Sequence, residues 1–392
     1  MLHTERVQLK YSRVLSRLCH LAKNLYNTAN WNFRQFYFNL DEYLSYYDLD
    51  FMLKSEKCYK ALPAQTSQQI LRLVIKNWKS YFRALVGYRK EPSKFPGCPR
   101  MPRYKSKNGE SICIFTNQNT RIKNGRIHFP SSCNLEPIKT RVNEYRQVRI
   151  LPRGRTYVAE IIYNKEEIDL QLNKNNILGI DLGINNLLTT ANNIGLSPLI
   201  VKGKVVKSIN QYYNKQRAKY QSKTKLQRET RYLEKLTLKR ENKIRDYFHK
   251  ASRKIIEYCI ENDIGMIIIG YNEKWKQKCR MGRRNNQNFV QVPFHKIVQM
   301  IEYKAMLVGV EVIKTEESYT SKCSALDLET IEKSEQYLGK RIKRGLFRSG
   351  KGVKINADVN GAFNIIRKVV PITLIGNGIE ALVLKPQIIA ID

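Results

Sequence analysis

One apolar stretch limits what this chain can fold into more than any other: GIDLGINN, Gly179–Asn186, which carries a single carboxylate between two glycines. Ile177, Leu178, Ile180 and Leu182 read as a strand buried within a sheet, with Asp181 at the end where a carboxylate emerges. G-x-D-x-G also suits an ordinary surface turn, so the segment gains meaning only from a second acid. Asp358, in INADVNGAFNIIRK, lies 177 residues further on (358 − 181), at what reads as the first turn of a helix. An acid there is a common stabilising device on its own, because the helix N-terminus favours negative charge. It is the pairing with Asp181 that points to metal chemistry.

The charge balance names the partner class. Lys+Arg 70 against Asp+Glu 34 gives +36 and a pI near 9.9, an excess that calls for a polyanion, most simply nucleic acid. A ribosomal-type or membrane-surface protein would be equally basic, but neither needs carboxylates at the ends of buried strands. No run of 18 apolar residues occurs and MLHTERVQLK lacks the apolar core of a signal peptide, which predicts a soluble, cytoplasmic, nucleoid-associated protein without membrane contact. The eight cysteines stand far apart with no C-x-x-C pair, so they read as reduced and structural. At 392 residues and 42% hydrophobic content, two or three domains are expected.

In chain order, residues 3–11 alternate as a strand. Val14, Leu18, Leu21 and Leu25 recur at helical spacing and lead into an aromatic stretch containing Trp31, Phe33, Phe36, Tyr37, Phe38, Tyr43, Tyr46, Tyr47 and Phe51. A second helix is expected from Thr66–Ser67, with Ile70, Leu73, Val74, Trp78, Tyr81, Phe82 and Leu85 as its stripe. These aromatics read first as core, with base stacking as the alternative for some of the tyrosines. Pro96, Pro99 and Pro102 mark a connector, after which Asn124-Gly125 signals a type I′ hairpin and QVRILPRGRTYVAEIIY a second hairpin. Together with residues 3–11 these strands predict a small barrel, 1–11 and 96–172, into which the helices of 12–95 are inserted.

After GIDLGINN the chain continues as a three-strand meander turning at Asn193–Gly195. Residues 203–262 then read as one long or two antiparallel basic helices, with Lys215, Arg217, Lys219, Arg228, Arg231 and Arg240 among their cations. A charge run is usually a solvated face; with acids this sparse, it reads here as a face that tracks phosphates. IGMIIIGYN is a buried parallel strand ending at Gly270, followed by a loop with Lys276, Arg283 and Arg284, a helix from Pro293 to Leu307 and a strand from Val310 to about Thr315. The fold class expected is α+β multidomain, and this alternation with acids at strand ends is the order of a ribonuclease H-like sheet. Carboxylates converging there suit magnesium, and two such ions can activate water and stabilise the leaving oxygen of a phosphodiester.

KFPGCPRMPRYK, GIDLGINN, IIIGYNEKWKQ, NNQNFVQVPF, ESYTSKCS and ADVNGAFNIIRK, in that order, resemble TnpB, the OrfB-type RNA-guided endonuclease of insertion sequences. The resemblance covers roughly residues 5–370. It implies a wedge barrel, an inserted helical recognition domain at 12–95, a RuvC-like nuclease domain at 173–320 and 356–370, and a target-nucleic-acid-binding insert at 321–355. It also implies two Mg²⁺ ions, a guide RNA from the element's own end, and cleavage of double-stranded DNA beside a short motif read by the protein, with base pairing supplying the sequence choice.

Two departures matter. The family's second acid is usually a glutamate at the end of the strand that here closes on Gly270. In one branch of TnpB-like and Fanzor-like proteins it stands three residues before the T-S-K threonine, which is Glu317; Glu316, Glu273 or the absence of a functional third acid are the alternatives. The insert lacks the usual four zinc cysteines and offers only Cys323, so no zinc is expected, and Leu326, Leu328, Ile331, Tyr337, Leu338, Leu346 and Phe347 are expected to supply a small apolar core, with Arg341 and Arg344 facing phosphate. The expected site is thus Asp181, Glu317 and Asp358. The rival readings are a nuclease-inactive RNA-guided DNA-binding protein and a transposase or transposase accessory protein. The tail 371–392 is apolar enough to pack and carries no functional reading.

Overall fold

The computed structural model describes all residues except Asp41, Arg155, 225–229, 273–281, 371–385 and Asp392, and excepting also the side chains of Thr224, Arg283 and Arg284. The chain forms two compact units, Met1–Lys165 and Glu166–Asp392. Among the described residues no helix is long and apolar enough to cross a membrane, and the cysteines are free thiols.

The first unit runs β1 (Leu2–Leu9), α1 (Arg13–Leu40), α2 (Tyr46–Leu53), α3 (Lys57–Lys60), α4 (Ala64–Lys90), β2 (Cys113–Thr116), β3 (Arg121–Lys123), β4 (Arg126–His128), β5 (Ile138–Lys139), β6 (Gln147–Arg153) and β7 (Thr156–Asn164). The helical stripes bury one face each: Leu18, Leu25, Tyr26 and Phe33 of α1 meet Ile70, Leu71, Val74 and Trp78 of α4. Phe33 stacks on Trp78 at 4.5 Å, and the indole N–H donates to Asn30 Oδ1 at 2.9 Å. Not all the aromatics are core. Trp31 and Phe38 are 53% and 58% exposed because at 100° per residue they stand about half a turn round from Leu18 and Leu25. Tyr43, Tyr47 and Phe51, on and before the short α2, are also exposed.

Both expected hairpins form. Asn124 and Gly125 take φ of 52° and 65°, the left-handed pair that a two-residue I′ turn needs, between β3 and β4. The described strands of this unit pair as a four-stranded sheet, β1-β7-β6-β2, and a three-stranded one, β3-β4-β5.

The second unit runs β8 (Ile177–Leu182), β9 (Asn186–Asn192), β10 (Leu199–Lys202), α5 (Lys204–Thr224), α6 (Arg231–Glu261), β11 (Met266–Gly270), α7 (Arg283–Val290), α8 (Phe294–Met306), β12 (Glu311–Thr315), β13 (Lys340–Lys343), β14 (Leu346–Arg348), β15 (Lys354–Asn356), α9 (Ala357–Val369) and β16 (Gln387–Ile389). Its six-stranded sheet is ordered β12-β11-β8-β9-β10-β16. β8, β9 and β10 form the antiparallel meander, while β11 lies parallel to both β8 and β12. The strand β16, from the tail read as apolar enough to pack, adds to the far edge parallel to β10.

Alternation along β8 decides what each face holds. Leu178, Ile180 and Leu182 pack with residues of α6 and α8, whereas Ile177 packs with α9. Asp181 shares the parity of Ile177 and therefore lies on the face that α9 covers. Gly179 makes that cover possible: a Cβ there would stand 2.5 Å from the Ala362 carbonyl oxygen and 2.6 Å from Ile366 Cγ1. The bare strand lets α9 rest directly on β8, which brings the start of α9 to the strand's end.

The insert between β12 and α9 has no apolar core of its own, which corrects the expectation for Leu328 and Leu338: both are exposed, at 52% and 62%. Ala325, Leu326, Phe347 and Ile355 instead join the cluster formed with α9 by Val359, Ala362 and Phe363. Acids and asparagines tie the rest. Glu329 accepts from the backbone N–H of Ser324 and Leu338, and Asp327 from those of Gly350 and Lys351. Buried Asn360 and Asn364, one turn apart on α9, donate to the carbonyls of Thr320 and Cys323 at 2.7–2.9 Å.

Candidate metal centre and nucleic-acid interface

Three backbone features place the acids. Asp181 sits at the C-terminal end of β8, registered against Thr189 of β9. Asp358 occupies the first turn of α9, capped by Asn356, whose Oδ1 accepts from Asp358 N at 2.9 Å and Val359 N at 3.3 Å. Glu317 lies two residues beyond β12 in a turn closed on itself: Thr320 donates to the Glu317 carbonyl through both its N–H and its hydroxyl, and Tyr319 takes a left-handed φ of 65°. The Glu317 N–H donates to Asn272 Oδ1 at 2.9 Å, which ties this turn to the end of β11.

The side chains interact as a group. Burial pushes the Asp181 carboxyl well above the ordinary range, the nearby charges of Glu317 and Asp358 push it further, and the Arg341 guanidinium opposes them. Burial raises Glu317 to about 7, and its Oε1 is buried without a hydrogen-bond partner. Asp358 is the most engaged: Asn186 Nδ2 donates to its Oδ2 at 2.7 Å, and Arg341 approaches its Oδ1 at 3.5 Å. Glu316, the residue directly after β12, is exposed, and Glu273 lies outside the described residues.

Among the described residues no three His, Cys, Asp or Glu side chains are gathered closely enough to hold one ion. The acids interact without forming a closed shell. Even so, carboxylates whose charges disfavour ionisation of buried Asp181, with the buried Glu317 Oε1 unpartnered, are the hard donors a divalent cation such as Mg²⁺ takes. A cleft of about 660 Å³ opens beside them, lined by Gly183, Asn186, Arg341, Arg344 and Asp358. It places two guanidinium groups next to a carboxylate, a pairing suited to a phosphodiester in which the cations hold the phosphate.

The basic residues divide. α5 and α6 run antiparallel, with Tyr213 bonded to Thr237 and Tyr220 stacked on Tyr232 at 4.9 Å. Lys215, Arg217, Lys219 and Arg231 are exposed on this pair. Arg240 is not free for phosphate: it donates to Asn210 Oδ1 and to the Gln291 carbonyl, and burial lowers its pKa. Arg228 and Lys276 lie outside the described residues, as do the side chains of Arg283 and Arg284 at the start of α7. Sequence reasoning missed Asn186 and Asn272, which hold Asp358 and the Glu317 turn. Asn186 was visible as the last residue of GIDLGINN, whereas Asn272 had no local signal.

The fold and site together define a basic, mixed α/β multidomain protein with carboxylates collected at the ends of neighbouring parallel strands. The OrfB_IS605 family, described as "Probable transposase", matches residues 160–276, and the "Cas12f1-like, TNB domain" family matches 294–365. The TnpB-like protein ORF457 of Acidianus two-tailed virus is 26% identical over 92% of this chain and 84% of its own length. The CRISPR-associated endodeoxyribonuclease Cas12f2 of a Micrarchaeota archaeon (strain CG1_02_47_40) is 28% identical over 64% of this chain, which spans 47% of that protein. Among solved structures, a Cas12f1–sgRNA–target DNA complex is similar at 17% identity and a TM-score of 0.39, covering 93% of this chain and 98% of that one, and a CRISPR–Cas12f ternary complex at 16% and 0.39, covering 90% and 80%. The chain is thus similar to TnpB-type proteins over most of its length.

Proposed function

We propose that this protein is an RNA-guided endonuclease that cuts double-stranded DNA beside a short motif, using Asp181, Glu317 and Asp358 in a ribonuclease H-like (RuvC) centre. The observation that carries the proposal is the electrostatic coupling of Asp181 to Glu317 and Asp358 at adjacent strand and helix ends, with Glu317 Oε1 buried and unpartnered. The similarity to a TnpB-like protein supports it, as does the endodeoxyribonuclease activity named for the Cas12f2 relative.

Asp181, Glu317 and Asp358 would hold Mg²⁺, which when bound supplies activation of water and charge stabilisation at the leaving oxygen. The chain's own groups do the rest. Asn186 fixes the orientation of Asp358, leaving the second carboxylate oxygen toward the cleft. Arg341 and Arg344 receive the scissile phosphate in the cleft, and Arg341 exchanges its contact with Asp358 for one with the phosphate. The exposed cations of α5 and α6 track the backbone of guide RNA and target, the guide supplying sequence by base pairing. Asp327, Glu329, Asn360 and Asn364 hold the insert through hydrogen bonds to its backbone.

The test is co-expression with the flanking genomic DNA, sequencing of co-purified RNA, and incubation of the complex with a randomised double-stranded target library and Mg²⁺. One discrete bound RNA and cuts at a fixed distance from a common short motif are expected. Bound RNA without cutting in Mg²⁺ or Mn²⁺ would make it a guided binding protein, and no bound RNA would overturn the proposal.

A further inference from the structure

We infer that Gly270 is a positioning residue: the bare end of β11 is the socket in which the Glu317 carboxylate is seated next to Asp181. The inference rests on the reading of Glu317 as a metal ligand and adds what places it there. Ile269 of β11 pairs with Ile180 of β8, so the next position, Gly270, stands beside Asp181 in the parallel ladder. On its other side Gly270 registers with Thr315, two residues before Glu317. A Cβ at 270 would lie 2.7 Å from Glu317 Cγ and 2.8 Å from Glu317 Oε1. The Glu317 side chain therefore fills the volume that any other residue at 270 would claim.

The backbone does not ask for glycine here. Gly270 is the last strand residue of β11, paired with Thr315 of β12, and it is absent from the positive-φ glycines. Space alone explains it. The other atom in the way, Ile365 Cδ1 at 2.5 Å, is the free end of a flexible side chain. Both obstacles can swing aside, so an alanine at 270 displaces the carboxylate without having to break the strand. The acid of the site is thus contributed by one strand into a gap left by its neighbour, and the two positions form one functional unit.

The test uses the full-length chain freed of nucleic acid, with Mn²⁺ as the probe and free Mn²⁺ followed by electron paramagnetic resonance. Asp181→Ala and Glu317→Ala should each weaken Mn²⁺ binding about tenfold or more, and Gly270→Ala should weaken it by the same factor as Glu317→Ala. The double variant Gly270→Ala/Glu317→Ala should bind no more weakly than Glu317→Ala alone, because both changes remove the same seated carboxylate. Gly270→Glu/Glu317→Ala, which supplies the acid from the other strand, should recover most of the affinity. Wild-type affinity in Gly270→Ala, or losses that multiply in the double variant, would overturn the inference. Should Gly270→Ala fail to fold, recovery of a cooperative melt on adding Glu317→Ala supports it, and persistent unfolding overturns it by making Ile365 the obstacle. Unchanged Mn²⁺ binding by Asp181→Ala would instead remove the metal centre itself, which separates the two failures.

Discussion

Burial raises the Glu317 carboxyl to about 7, and the sign of the consequence follows from which state holds the proton. Between its ordinary pKa near 4.5 and about 7 the folded protein keeps the proton that the unfolded chain releases, so stability falls as pH rises through that window and stays lower above it. Glu317→Gln removes the penalty: without divalent metal it should raise the melting temperature at pH 8 by several degrees, corresponding to roughly 2–3 kcal/mol, and leave it nearly unchanged at pH 4.5. A variant that melts like wild type at pH 8 would contradict the burial of this carboxyl. Metal affinity should move the opposite way, increasing with pH through about 7 as the ligand loses its proton. At this scale Asp181 and Asp358 were legible because each sits in a patterned segment, one in an apolar strand and the other at a helix start. Asn186 and Gly270 were present in plain view and yet silent, since a hydrogen bond across 172 residues and an empty volume leave no periodic trace.

Helix α9 is the element on which the second unit's chemistry depends. Gly179 lets it lie against β8, its first turn carries Asp358, and Asn360 and Asn364 hold the start of the insert. Asn364→Ala strips donors from the buried carbonyls of Thr320 and Cys323 and an acceptor from Arg367. The cost should be about 2–4 kcal/mol, expressed locally. Limited proteolysis should show early nicking within 321–355 while α6 and α8 stay protected; nicking no faster than in wild type would contradict the role of this asparagine. The strands and helices of this unit were readable from period and length: a continuous apolar run for β11, an amphipathic stripe for α8. The insert was not, because its packing depends on polar side chains gripping backbone groups, which leaves Leu328 and Leu338 outside where hydrophobicity alone would bury them. The first unit shows the same limit. Its hairpins were announced by turn residues, but turn residues say nothing of how strands group into sheets.

Over the whole molecule the excess of +36 predicts the character of binding more than its target. Affinity for guide RNA should fall by about 10³-fold or more between 50 and 200 mM salt, through release of counterions. Replacing Lys215, Arg217 and Lys219 together by alanine should lower the slope of log affinity against log salt by about 2. An unchanged slope would take this face of α5 out of the interface. The central claim is that the acids of the second unit cut DNA chosen by a bound RNA. Its most direct measurement is single-turnover cleavage of a matched double-stranded target by the RNA-loaded complex in Mg²⁺, set beside the same complex carrying Asp181→Ala. Cleavage by the unaltered complex and none by the variant, with equal RNA occupancy and target binding, is expected. Equal cleavage by both would contradict the claim.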